Sequence, residues 1–299
     1  MGRGRVVKNR LAKILGKEID RQLDLFSGLW AHYESPDSGE AVHRQRTAVN
    51  RLDGYAQFLG VNKDAKNDAG RALRALRNWQ RRIGTVRDVD VLLEWLEKCH
   101  GGGPDAALAA FHDHLSLRRH HLLKDVIVDA RSVIGAEARV AQHSLRQELH
   151  QRLHHFDSGD FRSALEDVAS PWREALDRLR RDHGDETLHA FRVKNKRLRF
   201  VLDALAEGEE WAESELLKRR AKSAGRAHGT LGNLADLAVF ERELRQLRAE
   251  WSTAGCDLDA SAAALEAARA ALEAKEFAAW FAQWPSISAE DFLGALLKD

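Results

Sequence analysis

The chain has 299 residues, 44% of them hydrophobic and 31% charged, which suits one large domain or two smaller ones. Its 47 Lys and Arg residues nearly balance its 46 Asp and Glu residues, so the net charge does not predict a polyanion partner. Any such partner would have to be recognised by a local concentration of charge. Two distant cysteines match no metal spacing, and no apolar run reaches the roughly 20 residues of a membrane span. Because a signal peptide is not found either, we expect a cytoplasmic protein that contacts no membrane.

A period of 3.6 residues in the hydrophobic pattern predicts helices along almost the whole chain, and no segment alternates as a strand does. The sequence therefore predicts an all-α protein, with helices over residues 8–30, 40–59, 64–83, 87–100, 105–156, 161–181, 185–206 and 211–231 and onward to the C-terminus. A polar segment at 155–160 predicts a boundary between a first bundle, 1–156, and a second bundle, 157–299. Asp88 and Asp236 each follow a glycine-containing turn in this prediction, so we expect them to cap the helices that begin there.

Two blocks of sequence recur in the second half in the same order. The first block, at an offset of 146, matches His43, Arg46, Arg51 and Leu52 with His189, Arg192, Arg197 and Leu198. The second block, at an offset of 148, matches residues 83–91 with residues 231–239. Such self-similarity predicts two related helical bundles about a pseudo-two-fold axis.

Residues 187–205 form a strongly cationic amphipathic helix. At about 100° per residue, one narrow sector of this helix holds His189, Arg192, Lys196 and Arg199. Apolar side chains gather on the opposite side. Like charges on successive turns repel one another by a few tenths of a kcal/mol per pair, so the row indicates that an anion lies along it. Arginine supplies forked donors for phosphate oxygens and lysine supplies a point charge.

A second basic stripe lies on the following helix, where Arg219, Lys222 and Arg226 occupy positions i, i+3 and i+7. Arg71 and Arg74 match the first two of these residues at the offset of 148. Basic stripes on matching helices of both halves predict one shared groove. For any single stripe, an ordinary solvated helix face is the alternative explanation.

These motifs together resemble the CHAD domain, the conserved histidine α-helical domain. That family carries two copies of a helix that begins His-x-x-Arg-apolar and continues with clustered Lys and Arg, and residues 189–199 match this pattern. It also carries a segment of the form Leu-Gly-x-x-Arg-Asp-x-Asp-Val-Leu, to which residues 83–92 are similar. The resemblance extends from about residue 11 to residue 284. In the first copy, however, Asn50 and Asp53 stand at positions that are often basic in the family.

The resemblance implies two helical bundles around a basic groove or pore, and non-catalytic binding of inorganic polyphosphate. It also implies association with polyphosphate granules and their proteins. Many relatives carry a triphosphatase-like barrel before the domain, and no such strand-rich segment occurs in this sequence, so we expect a stand-alone member. The predicted polyphosphate-binding residues are His43, Arg46, Arg51, Arg71, Arg74, His189, Arg192, Lys196, Arg197, Arg199, Arg219, Lys222 and Arg226.

We expect no enzyme activity, metal or cofactor, because the sequence has neither a phosphate-cradling loop before a helix nor a cluster of carboxylates and cysteines. A bound polyanion would raise the pKa of His43 and His189, so we expect tighter binding at lower pH. Two alternatives remain: binding of the phosphate backbone of DNA or RNA, and a scaffold that recognises protein partners.

Overall fold

The all-α prediction is confirmed. The computed structural model describes residues 2–34, 38–61, 66–99, 106–207, 214–253 and 259–283, and these residues contain helices but no strand. The helices are α1 (Gly2–Gly28), α2 (Ser38–Phe58), α3 (Asp68–Cys99), α4 (Ala106–Arg131), α5 (Val133–His155), α6 (Ser158–Arg181), α7 (Asp185–Ala206), α8 (Ser214–Thr253) and α9 (Asp259–Gln283), with a 3₁₀ turn at Trp30–His32. Among them, no helix is long and apolar enough to cross a membrane.

The helices α3 and α8 correct the sequence prediction at two glycine-containing segments. Each continues as one helix where the sequence predicts a break, α3 through Gly84 and α8 through Gly232. A glycine inside a helix costs about 1 kcal/mol relative to alanine, and burial of the flanking Ile83 and Val86 outweighs that cost. Asp88 and Asp236 therefore lie inside helices, and the prediction that they cap helix N-termini is wrong.

Two other helix starts have clear local causes. The predicted stretch 105–156 divides into α4 and α5 at Ser132, whose hydroxyl accepts a hydrogen bond from the Ile134 N–H at 3.2 Å. The polar segment at 155–160 does separate two helices. Asp157 and Asp160 form a reciprocal capping box there, which fixes the start of α6.

Two hydrophobic clusters hold the helices together. The larger contains the fully buried Trp79 and Trp172 and draws residues from α1 to α3, from α4 to α7 and from the first part of α8. It continues across residue 156, so the two predicted bundles share one core. The smaller cluster, around Trp95, Phe111 and Phe240, lies between the C-terminal parts of α3 and α8, the helix α4 and the helix α9.

A buried ionic network links α1, α2 and α7 inside the larger cluster. Arg51 places Nη1 3.2 Å from Glu18 Oε1 and Nη2 3.1 Å from Asp203 Oδ2. The Tyr55 hydroxyl lies 3.1 Å from the same Glu18 oxygen. The side chain of Glu18 is 2% exposed and that of Arg51 is 15% exposed. Glu18 also accepts from the half-exposed Arg21 at 2.6 Å, so Arg51 is the buried one of its two cations.

We predict that Arg51→Met lowers the free energy of unfolding by about 1.5–3 kcal/mol, because it removes the buried cation that joins Glu18 to Asp203 and leaves Glu18 with Arg21 alone. Urea denaturation followed by circular dichroism measures the change. Arg71→Met is the matched control, since Arg71 is exposed and pairs with Asp68 on its own helix. Equal unfolding midpoints for the two variants would contradict this role of the network.

Candidate functional site

The rotation of α7 is fixed by the buried Asn195. Its Nδ2 donates to the Ala224 carbonyl of α8 at 2.9 Å, and its Oδ1 accepts from Trp172 Nε1 of α6 at 3.1 Å. The apolar side of α7 is buried as the sequence predicts, with Phe191 and Leu198 inaccessible to solvent. This orientation turns the row of basic side chains on α7 towards α8, so they are half-buried rather than fully solvated.

Four basic side chains act on one another at this place, and we call them the cationic cluster: Arg46 of α2 with Arg192, Lys196 and Arg199 of α7. Burial, then Arg192 and Arg46, lower the pKa of Lys196 from 10.5 to about 8, against the opposing effect of Asp53. Among the described residues, neither Arg192 nor Lys196 has a carboxylate within 4.0 Å. The Nε of Arg192 is buried without a hydrogen-bond acceptor. The cluster therefore holds positive charge that the surrounding protein does not neutralise.

The facing side of α8 supplies little compensation. Burial, then Arg199 and Arg192, lower the pKa of His228 to about 3, so its imidazole is neutral at pH 7 and its buried Nδ1 has no hydrogen-bond partner. Gly225 gives room to Arg199, whose Nε would lie 3.8 Å from a Cβ at that position. Burial raises the pKa of Asp236, and Arg192 opposes that effect most strongly. Asp236 is thus the acidic group that α8 brings to the cluster.

Arginines already engage the carboxylates at the border of the cluster. Asp203 lies 3.3 Å from Arg199 Nε and 3.1 Å from Arg51 Nη2, and these cations oppose the rise that burial causes in its pKa. Asp88 is 3.0 Å from Arg46 Nη1. The Asp53 carboxylate is paired in the same way, with Arg77.

Several predicted site residues of the first half lie outside the cationic cluster. Arg51 belongs to the buried network with Glu18 and Asp203. Arg71 is exposed and pairs with Asp68, while Arg74 is half-buried on the same helix. His43 is at the surface, and burial of its ring followed by the charge of Arg87 lowers its pKa. His43 is therefore neutral at pH 7 in the free protein, and any increase of affinity at lower pH would require a ligand that raises this pKa.

The remaining predicted residues of the second half are exposed: His189, Arg197, Arg219, Lys222 and Arg226. At about 100° per residue, Lys222 lies about 60° and Arg226 about 100° around α8 from Gly225, which faces the cluster. Arg197 lines a small pocket against α2 and α6 with Gly54 and Pro171. The basic stripe of α8 thus borders the cluster on one flank and is not part of it.

Three residues at the cluster are not among the predicted site residues: His228, Asn195 and Asp203. His228 and Gly225 do have a signal in the sequence, because they stand at the offset of 148 from Gln80 and Arg77, which face α2 in the first half. The signal for Asn195 is a polar amide on the side of α7 that packs against α6 and α8. The role of Asp203 depends on Arg51, which lies far away along the chain.

Other features of the described residues do not form a metal site. No three His, Cys, Asp or Glu side chains among them are grouped to hold a metal ion. His150, at metal-pair spacing from His154, instead lies 3.0 Å from Asp20. An open cleft of about 1010 Å³ between α1 and α5 is lined by mixed acidic, basic and apolar residues and contains none of the cationic cluster.

Comparisons with known proteins agree with this architecture. Residues 17–245 match the family model of the CHAD domain. The fold is similar to the crystal structure of the CHAD domain from the plant Ricinus communis, with a TM-score of 0.68 and 16% sequence identity over 93% of each chain. No curated protein matches the sequence significantly.

We predict that Lys196→Met raises the free energy of unfolding at pH 7 by about 1–3 kcal/mol, since a cation whose pKa falls on folding opposes folding wherever it is charged. Between pH 8 and pH 10.5, Lys196 is protonated in the unfolded chain but neutral in the folded protein. The stability of the wild type therefore increases as the pH rises through this range, and the difference between wild type and variant becomes smaller. Urea titrations at pH 7, 8.5 and 10 measure this. Lys222→Met, at an exposed position, is the control. If Lys196→Met stabilises the protein no more than this control does, the charge of Lys196 does not oppose folding.

Proposed function

This chain belongs to the CHAD domain family, and from that premise we propose that it binds inorganic polyphosphate at the cationic cluster without transforming it chemically. One observation carries the proposal: Arg192 and Lys196 lie half-buried beside Arg46 and Arg199, and neither has a carboxylate partner among the described residues. Cations held together in this way need an external anion to relieve their repulsion.

Binding would combine directional hydrogen bonds with charge neutralisation. The guanidinium groups of Arg192 and Arg199 donate to phosphate oxygens, and the Lys196 ammonium supplies a compact charge between them. The negative charge of a bound phosphate chain also offsets the positive charges that lower the pKa of Lys196, so binding favours the protonated form of Lys196. As with nucleic-acid backbones, release of counterions makes the affinity fall steeply with salt.

The surroundings of the cluster favour polyphosphate over a single-stranded nucleic acid. Single-stranded nucleic acids gain much of their affinity from bases that stack on exposed aromatic rings. The aromatic ring next to Lys196 is Phe200, with its centroid 5.9 Å from Nζ, and that ring is buried. It is therefore not accessible to a base, whereas a chain of phosphates needs no stacking surface.

The same geometry supports binding without catalysis. Phosphoryl transfer uses carboxylates that hold divalent metal ions next to the phosphates. Around the cluster, Asp53, Asp88 and Asp203 each engage an arginine, so their use as metal ligands would require breaking those pairs. Asp236 is not in an ion pair with another described residue, but one carboxylate does not make a metal site. Association with polyphosphate granules would follow from affinity for the polymer.

We predict that Lys196→Met weakens binding of long-chain polyphosphate about tenfold or more, as expected for loss of a charge-assisted contact. The slope of log affinity against log salt concentration should fall by about one. Isothermal titration calorimetry at two salt concentrations measures both, with Lys222→Met as the control of equal charge change. Preference for single-stranded DNA at equal phosphate concentration would overturn the proposal in favour of a nucleic-acid binder. Failure to bind either polymer would favour a protein scaffold.

The pH dependence offers an independent test of the same site. Because the pKa of Lys196 is about 8 in the free protein, its positive charge is lost as the pH rises through that value. The affinity for polyphosphate should therefore decrease between pH 7 and pH 9, where arginines stay charged. Lys196→Arg should bind with nearly constant affinity over this range. If wild type and this variant show the same pH profile, Lys196 is not part of the binding site.

A further inference from the structure

We propose that the polyphosphate site is one-sided and short: of the cationic cluster, the ligand engages the three members on α7, in the second half of the domain, and it does so with only a few consecutive phosphates. This inference rests on the proposed function and adds to it the extent of the ligand. It comes from comparing the contacts between α2 and α3 with those between α7 and α8, at positions that the sequence repeat relates.

In the first half, three contacts between α2 and α3 neutralise one another's charges. Arg46 pairs with Asp88 at 3.0 Å, and Arg77 pairs with Asp53. Between these two ion pairs, Gln80 Nε2 donates to Asn50 Oδ1 at 2.7 Å. Each charge on this surface therefore has an opposite charge as its partner, and the polar groups that remain are neutral amides.

The second half places different residues at the three corresponding positions. Arg192 and Asp236 replace the pair of Arg46 and Asp88, but these two side chains are not within ion-pair distance. Lys196 and His228 take the places of Asn50 and Gln80, and Arg199 and Gly225 take those of Asp53 and Arg77. The imidazole of His228 is neutral, so the formal charges of these six residues sum to plus two, whereas those of the six in the first half cancel. Asp203 offsets part of this surplus at Arg199, but it is shared with Arg51.

Three further arginines of α3 are already engaged by carboxylates. Arg71 pairs with Asp68, Arg82 lies 3.5 Å from Asp129, and Arg87 lies 2.5 Å from Glu94. A phosphate chain that crossed from α7 to α2 would also approach the carboxylates of Asp53 and Asp88. To bind these three arginines, a polyanion would have to displace the carboxylates that they already engage.

The length of the row of basic side chains on α7 sets the length of ligand that it can hold. Arg192 to Arg199 spans seven residues of α7, or about 10 Å along the helix axis. A short oligophosphate reaches along this distance. Phosphates beyond it would lie over neutral surface, so each added unit should contribute little further contact.

The experiment compares loss of affinity for two ligands, tripolyphosphate and long-chain polyphosphate, in variants that remove equal charge from each half. Arg192→Gln/Lys196→Gln should weaken binding of both ligands at least about tenfold. Arg71→Gln/Arg82→Gln should change neither affinity by more than about twofold, since exposed paired arginines contribute little. Calorimetric titration gives the affinities, and thermal unfolding by circular dichroism verifies that each variant is folded.

The outcomes separate this inference from the function on which it rests. If the wild type binds neither ligand, the proposed function itself fails. If the wild type binds long chains and Arg71→Gln/Arg82→Gln weakens that binding as much as Arg192→Gln/Lys196→Gln does, polyphosphate binding stands but the site spans both halves. Wild-type binding of long chains without binding of tripolyphosphate would likewise overturn the short site.

Discussion

The bridge that Arg51 makes between Glu18 and Asp203 is the interaction on which the arrangement of this domain most depends. It joins α1, α2 and α7 inside the hydrophobic core, where none of the three charges is well solvated. Asp203 also engages Arg199, so the same network positions one member of the cationic cluster. The ion pairs of Asp203 therefore help to determine both how deeply α7 is buried and which way its basic side chains point.

The cationic cluster is an arrangement that folding alone would not favour. Burial and neighbouring arginines hold the pKa of Lys196 at about 8 and that of His228 at about 3, which means that a positive charge on either of these two side chains opposes folding. The apolar side of α7 and the hydrogen bonds of Asn195 compensate for that cost. Tension of this kind between stability and local charge is typical of binding sites.

The sequence was informative where its pattern constrains geometry directly. The extent of α7, its apolar side and the angular grouping of Arg192, Lys196 and Arg199 follow from helical periodicity, and the structure agrees with them. Periodicity gives an angle around a helix but not the partner that a side chain meets. Arg51 belongs to a cationic motif by sequence and to a buried ion network by structure. Gly84 was interpreted as a turn because glycine marks both turns and close helix packing, and Arg46 packs against it here.

The helix α8 is about 60 Å long and passes from one hydrophobic cluster into the other. Its first part supplies the residues that face the cationic cluster, and its last part packs with α9, which lies beyond the residues that match the family model. The smaller hydrophobic cluster contains no member of the cationic cluster. Substitutions in the smaller cluster can therefore change the stability of one end of α8 without altering the side chains proposed to bind polyphosphate at its other end.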